Sequence, residues 1–133
     1  MTIQEILMDI KSGRKKKVVL DTDTFNEIDD QYALAYCYVC DKLELAAVHA
    51  APYFNDRSDS FEDGMEKSYN EIKKVLGLIS PDYSTPVFEG SRTTVEVSGC
   101  YVDSPAARNL IDVVKDSNEI VYVLAIGAIT NVI

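Results

Sequence analysis

The stretch VVLDTDTFNEIDDQYAL, residues 18–34, leaves a β-branched apolar run for a loop that holds four aspartates and a glutamate within ten positions. Lys17 to Thr22 reads as a short strand. Asp29-Asp30 open a helix whose apolar positions are Ala33, Leu34, Cys37 and Tyr38. The order is strand, acidic loop, helix.

Outward from this stretch the alternation continues. Leu43 to Ala51 reads as a second strand, closed by Pro52 and the turn-forming Asn55-Asp56-Arg57-Ser58. Phe61, Met65, Tyr69, Ile72, Val75, Leu76 and Ile79 share one face of a long helix that Gly77 and Pro81 bring to a stop. Pro86 to Glu89 reads as a short third strand, followed by an irregular Gly90 to Asp103. Ser104-Pro105 begin another helix, with Ala107, Leu110, Ile111 and Val114 expected inward, since proline is tolerated in a first turn. Glu119 to Ile126, EIVYVLAI, reads as a strand buried on both faces. Gly127 to Ile133 reads as the start of a further helix that ends on an apolar pair, as in the amino-terminal part of something longer.

Alternating strands and helices of this kind predict a Rossmann-like α/β fold, in which a parallel sheet is flanked by helices, because parallel neighbours need long, right-handed crossovers. Residues 1–133 read as the amino-terminal part of a single such domain. Residues 1–16 lead into it as an amphipathic helix, with charges interleaved among Ile3, Ile6, Leu7 and Ile10, unlike the unbroken apolar core of a signal peptide.

A hydrophobic content of 47% over 133 residues is enough for a core. No run approaches the roughly 18 apolar residues of a membrane span, so a soluble, cytoplasmic chain is expected. The formal charge of −9 repels phosphate backbones and anionic headgroups, which argues against nucleic acid and membrane partners and in favour of cations. Cys37, Cys40 and Cys100 lack the second pair a zinc site needs and read as buried reduced thiols.

In an open parallel sheet, ligands bind beyond the carboxyl ends of the strands. Asp21 and Asp23 fall at that edge, and the loop folds Asp29 and Asp30 back toward it. Carboxylates this close raise one another's pKa unless a cation neutralises them, and oxygen-only donors suit Ca²⁺ or Mg²⁺. Taken singly, each aspartate is explained as well by a helix N-terminus or a polar strand end. Asn55 fits a turn as well as a ligand contact, Asn131 fits a local cap, and His49 within its strand reads as a structural residue.

Two families share parts of this pattern. Asp21-Thr22-Asp23-Thr24-Phe25 resembles the Asp-x-Asp-x-Thr/Val of haloacid-dehalogenase-like phosphatases as far as Phe25. That resemblance implies a Mg²⁺-dependent phosphohydrolase with Asp21 as nucleophile and Asp23 as acid/base. More of the chain is similar to the inosine-uridine-preferring nucleoside hydrolases. LDTDTFNEIDDQYAL resembles their Asp-x-Asp-Pro-Gly-x-Asp-Asp signature, with Thr24 to Ile28 replacing Pro-Gly-x and lengthening the loop by two residues. LAAVHAAPYFND resembles the strand that ends near an Asn, PVFEGS the Pro-Val-x-x-Gly segment, and VYVLAIGAITNVI the strand leading into Gly-Pro-Leu-Thr-Asn.

The second resemblance implies Ca²⁺-dependent hydrolysis of the N-glycosidic bond of a ribonucleoside or related ribosyl substrate. By motif, Asp23 and Asp30 would be metal ligands together with the main-chain carbonyl of Ile126, and Asp23 the base toward water. Asp29 and Asn55 would bind ribose hydroxyls, and Asp21 would support the ligands from behind. The family places a further calcium-ligating Asp and, in many members, a catalytic His in its carboxyl-terminal half. These 133 residues alone are therefore expected to bind the metal weakly and turn over little, and to self-associate through uncovered apolar surface. A non-catalytic binding module is the remaining alternative.

Overall fold

The computed structural model describes residues 1–133. Helix α1 spans Ile3–Lys11, β1 Lys16–Thr22, α2 Ile28–Val39, β2 Leu43–Ala50, α3 Phe61–Ile79, β3 Val87–Phe88, α4 Val95–Ser98, α5 Pro105–Asp116 and β4 Val121–Ala125, and a single 3₁₀ turn spans Ile129–Asn131. The four strands form one sheet in the order β3-β2-β1-β4, with every neighbouring pair parallel. This is the Rossmann-like α/β arrangement expected from the alternation.

Side-chain parity decides which face each helix covers. Leu20 of β1 and Val48 and Ala50 of β2 join Leu34 and Cys37 of α2 and Met65, Ile72 and Leu76 of α3 in one buried cluster. Leu43 and Leu45 pack on the same cluster, so β2 changes parity between Leu45 and Val48. The register shift between Val18 and Val19 supplies the change: Val18 is opposite Leu45 but Val19 is opposite Ala47, so Ala46 is the extra residue of a bulge. Without it His49 would point into the α2/α3 core. With it His49 faces α5, where its Nε2 lies 2.9 Å from Asn109 Oδ1.

The helix starts follow from their caps. Thr2 and Glu5 form a capping box on α1, the Ser60 hydroxyl accepts from Asp63 N–H on α3, and the Ser104 hydroxyl accepts from Ala107 N–H on α5 with Pro105 in the first turn. Helix α2 has no side-chain cap at Glu27, and its first turn carries Asp29 and Asp30 instead.

Several expectations are corrected. Strand β4 is not buried on both faces: it is the sheet's edge, with Leu124 36% exposed. On α5 Ala106 and Ala107 are buried and Leu110 is half-buried as expected of an inward position, whereas Ile111 and Val114 face solvent, because the inward stripe runs through Ala106, Asn109, Leu110 and Val113 instead. Helix α3 continues through Gly77, a residue that weakens a helix without ending it, and stops at Ser80 before Pro81. The irregular segment contains α4, and the segment after β4 forms only the short 3₁₀ turn. Helix α1 forms but ends at Lys11 and buries no residue. Of the cysteines only Cys37 is buried; Cys100 is exposed. No helix is long and apolar enough to cross a membrane.

Candidate active site at the carboxyl edge of the sheet

The chain runs from β1 outward to β2 and β3 and then returns to the other side of β1 as β4. A crevice therefore opens where β1 and β4 end side by side, the place where open α/β sheets bind ligands. Asp21 lies opposite Ala125 in the β1–β4 register, and Ile126 N–H donates to the Asp21 carbonyl at 2.9 Å. Gly127 then passes so close to the acidic loop that a Cβ on it would sit 3.0 Å from Asp23 Oδ1 and 2.9 Å from Ala51 Cβ. The absent side chain lets the two strand ends meet.

Asp23 begins a tight turn in which Asn26 N–H donates to the Asp23 carbonyl at 2.7 Å. Asn26 Nδ2 also donates to Asp23 Oδ2 at 2.9 Å. Asn26 Oδ1 in turn accepts from Asn55 Nδ2 at 2.7 Å, and the Arg57 guanidinium donates to the Asn26 carbonyl. Asn55 is thus both the turn residue its sequence suggested, accepting from Arg57 N–H at 2.9 Å, and a neighbour of the acidic loop. The extra loop residues supply Asn26, the link between Asp23 and Asn55 that sequence reasoning missed.

Thr22 joins the two ends of the loop, its hydroxyl donating to Asp30 Oδ1 and lying 3.0 Å from the Thr24 hydroxyl. Asp30 is buried and Asp29 exposed, so the first turn of α2 presents one carboxylate inward and one to solvent. Burial raises the Asp30 pKa to about 6, opposed by the Thr22 bond and reinforced by the charges of Asp23, Asp29 and Glu27. Burial likewise raises Asp23, opposed by Asn26 and reinforced by Glu27 and Asp29.

Asp21 is withdrawn from the crevice, with no exposed surface. Its Oδ2 accepts from Asn131 Nδ2 at 2.9 Å, while Oδ1 is buried without a partner. Burial pushes its pKa up to about 7, the Asn131 bond opposing and the Asp23 charge adding. His49 Nδ1, 3.9 Å from Asp21 Oδ2, is also buried without a partner, and burial lowers the imidazole pKa. With Nε2 facing Asn109 Oδ1, the proton belongs on Nε2 and the ring is neutral.

Asn131 is the hub behind the crevice. Its Oδ1 accepts from Ser91 N–H at 2.8 Å and from the Ser104 hydroxyl at 3.2 Å, and its Nδ2 donates to Asp21 and to the Ala50 carbonyl at 3.2 Å. Gly90 makes room for it, since a Cβ there would lie 1.9 Å from the Ala50 oxygen and 2.6 Å from Asn131 Nδ2. The Gly and Asn of those two motifs, far apart in sequence, are in contact. A Ser-Pro helix start and a Thr-Asn turn gave the available signal, but only as separate caps.

Asp23 thus lies against Gly127 just beyond the end of β4, Asp30 is tied to the end of β1 through Thr22 and feels the Asp23 charge, Asn55 is linked to Asp23 through Asn26, and Asp21 lies behind. The available donors are all oxygens, and the uncompensated charge on Asp23 and Asp30 fits a hard cation. No group of three or more His, Cys, Asp and Glu side chains is arranged to hold a metal, so a cation here would draw further oxygens from backbone, water or ligand. Comparisons with protein-family models, curated proteins and solved structures find no match.

Proposed function

We propose that this chain carries the sugar- and cation-binding residues of a Ca²⁺-dependent hydrolase of N-glycosidic bonds in ribonucleosides or related ribosyl compounds. The observation that supports it most is that Asp23 and Asp30, at the two ends of the acidic loop, are both largely buried, with raised pKa and no cationic partner. Asp23, Asp30 and the Ile126 carbonyl would hold the ion. Bound there, Ca²⁺ would supply Lewis acidity toward water and anchor sugar hydroxyls.

The residues would then divide the work. Asp23, at the rim of the crevice and with its pKa raised by burial, takes the proton of an attacking water. The water oxygen bonds to the anomeric carbon, the carbon–nitrogen bond breaks, and the leaving base takes up a proton from solvent. Asp29 and Asn55, both exposed beside the loop, accept and donate hydrogen bonds to ribose hydroxyls. The collected negative charge favours the positive charge that develops on the sugar as the bond breaks.

The phosphohydrolase alternative requires Asp21 to attack phosphorus. A carboxylate with no exposed surface, bonded to Asn131, is poorly placed for that. Calorimetric titration of the chain with Ca²⁺ and with Mg²⁺, alongside an Asp23→Asn, Asp30→Asn double variant, tests the proposal. The expected result is binding selective for Ca²⁺ and abolished in the variant. Preference for Mg²⁺ would favour the phosphohydrolase instead, and absence of binding to either ion would favour a non-catalytic module.

A further inference from the structure

A chain of hydrogen bonds runs from Asp23 through Asn26 and Asn55 to Arg57, and both of its ends have a fixed sense. At one end the Asp23 carboxylate, which only accepts, holds Asn26 Nδ2 on its Oδ2 at 2.9 Å. At the other the Arg57 main-chain N–H, which only donates, holds Asn55 Oδ1 at 2.9 Å. Asn26 must then turn its oxygen, and Asn55 its nitrogen, to the contact between them, where they meet at 2.7 Å as acceptor and donor. Reversing either amide would set like atoms together at two contacts of the chain. The turn beneath does not depend on these side chains: Asn26 N–H donates to the Asp23 carbonyl at 2.7 Å, and the Arg57 guanidinium donates to the Asn26 carbonyl.

The chain has an effect at each end. With Oδ2 committed to Asn26, the Asp23 oxygen presented beyond β4 is Oδ1, 3.0 Å from where Gly127 would carry a Cβ. Asn55 is exposed and keeps Oδ1 on Arg57 and one Nδ2 proton on Asn26, so what it holds ready for a ligand is the other Nδ2 proton.

We propose that Asn26 is a positioning residue that joins Asp23 and Asn55 into one unit and fixes Asn55 as a hydrogen-bond donor. The inference rests on the cation and sugar roles proposed above for those two residues. It narrows what the site accepts. The group seated at Asn55 is an oxygen with a free lone pair, as on a sugar hydroxyl whose own proton goes to a carboxylate such as Asp29, and not an ammonium or an amide N–H. Asn26 itself meets no ligand; it acts through Asp23 and Asn55, as the outer partners of metal ligands do.

Side-chain amide resonances of the ¹⁵N-labelled chain test this, read first without metal. The two Asn55 Nδ2 protons are expected to differ, the one on Asn26 Oδ1 lying downfield and exchanging more slowly with water. Asn26→Ala removes the acceptor and should bring both to the values of a free side-chain amide. Asn26→Asp keeps an acceptor for Asn55 while setting a second carboxylate against Asp23, so it should retain the Asn55 signature. Both substitutions leave the main-chain bonds of the turn in place. Calorimetry with Ca²⁺ reads the other end: Asn26→Ala should bind at least tenfold more weakly than the parent, with thermal unfolding showing that both chains are folded. Asn55 protons that are alike in the parent, that do not move in Asn26→Ala, or equal Ca²⁺ affinity in the two folded chains overturns the inference. A parent chain that binds no Ca²⁺ counts instead against the function proposed above, and the metal-free amide signature still decides the orientation of Asn55.

Discussion

Asn131→Ala is expected to lower the stability of the chain by about 3–5 kcal/mol, enough to unfold much of it at ordinary temperature. The loss comes from what the side chain satisfies. Asn131 is only 3% exposed, and its amide serves Ser91 N–H, the Ser104 hydroxyl, Asp21 Oδ2 and the Ala50 carbonyl. Alanine leaves those groups buried without a partner at roughly 1–3 kcal/mol each, less than additively where a neighbour can turn to a new mate. The effect also spreads across the fold, because Ser104 caps α5, Ser91 follows Gly90, and Ala50 and Asp21 end two strands. Urea unfolding followed by circular dichroism measures it, with Ile129→Ala, at an exposed position two residues away, as the control expected to change little. An Asn131→Ala chain within about 1 kcal/mol of the parent would show that the hub holds nothing together.

The alternation of strand and helix was legible because period and punctuation agree: Lys17 to Thr22, Leu43 to Ala51 and the Phe61 to Ile79 stripe all lie within a residue of the elements that form. What was not legible depends on neighbours. EIVYVLAI reads as a central strand by composition, and only the strand order shows that it lies at an edge. Ile111 and Val114 follow a helical period as well as Ala106, Leu110 and Val113 do, and only the seat of α5, with Asn109 on His49, shows which stripe turns inward. The acidic loop was legible as a cluster, but its internal division was not. Asp21 near the end of β1 and Asp23 just beyond it both fall at the crevice by spacing, and only the resemblance set Asp21 behind; the depth of the strand end hides the first and leaves the second at the rim. His49 needed the bulge at Ala46 to reach Asp21, and no property of LELAAVHA announces a bulge.

The second large effect concerns pH. Asp21 in the folded chain titrates at about 7 against 3.8 when free, because its burial outweighs the bond from Asn131. A carboxyl whose pKa is higher in the folded state binds more protons there than in the unfolded chain, so its contribution to stability is full below about pH 4 and is lost as pH rises through about 7. At about 1.4 kcal/mol per pH unit of displacement the loss totals roughly 4 kcal/mol. Asp30, held at about 6, adds in the same direction. His49, whose pKa burial lowers from 6.5, binds fewer protons folded than unfolded and offsets part of this gain as pH falls below about 6.5, whereas exposed ion-paired carboxylates such as Asp63 and Asp103 have lowered pKa values and oppose the trend only where pH falls through their own range. The chain should therefore unfold at a distinctly higher temperature near pH 5 than near pH 8. Asp21→Asn should remove most of that difference and stabilise the chain at about pH 8 by a sizeable part of the 4 kcal/mol. An asparagine keeps an oxygen for Asn131 Nδ2 and brings an N–H to the region of the unpartnered His49 Nδ1. Thermal unfolding of both chains across this pH range decides the matter: a parent chain more stable near pH 8 than near pH 5, or an Asp21→Asn chain weaker than the parent at pH 8, would mean that a cationic partner compensates the buried carboxylate.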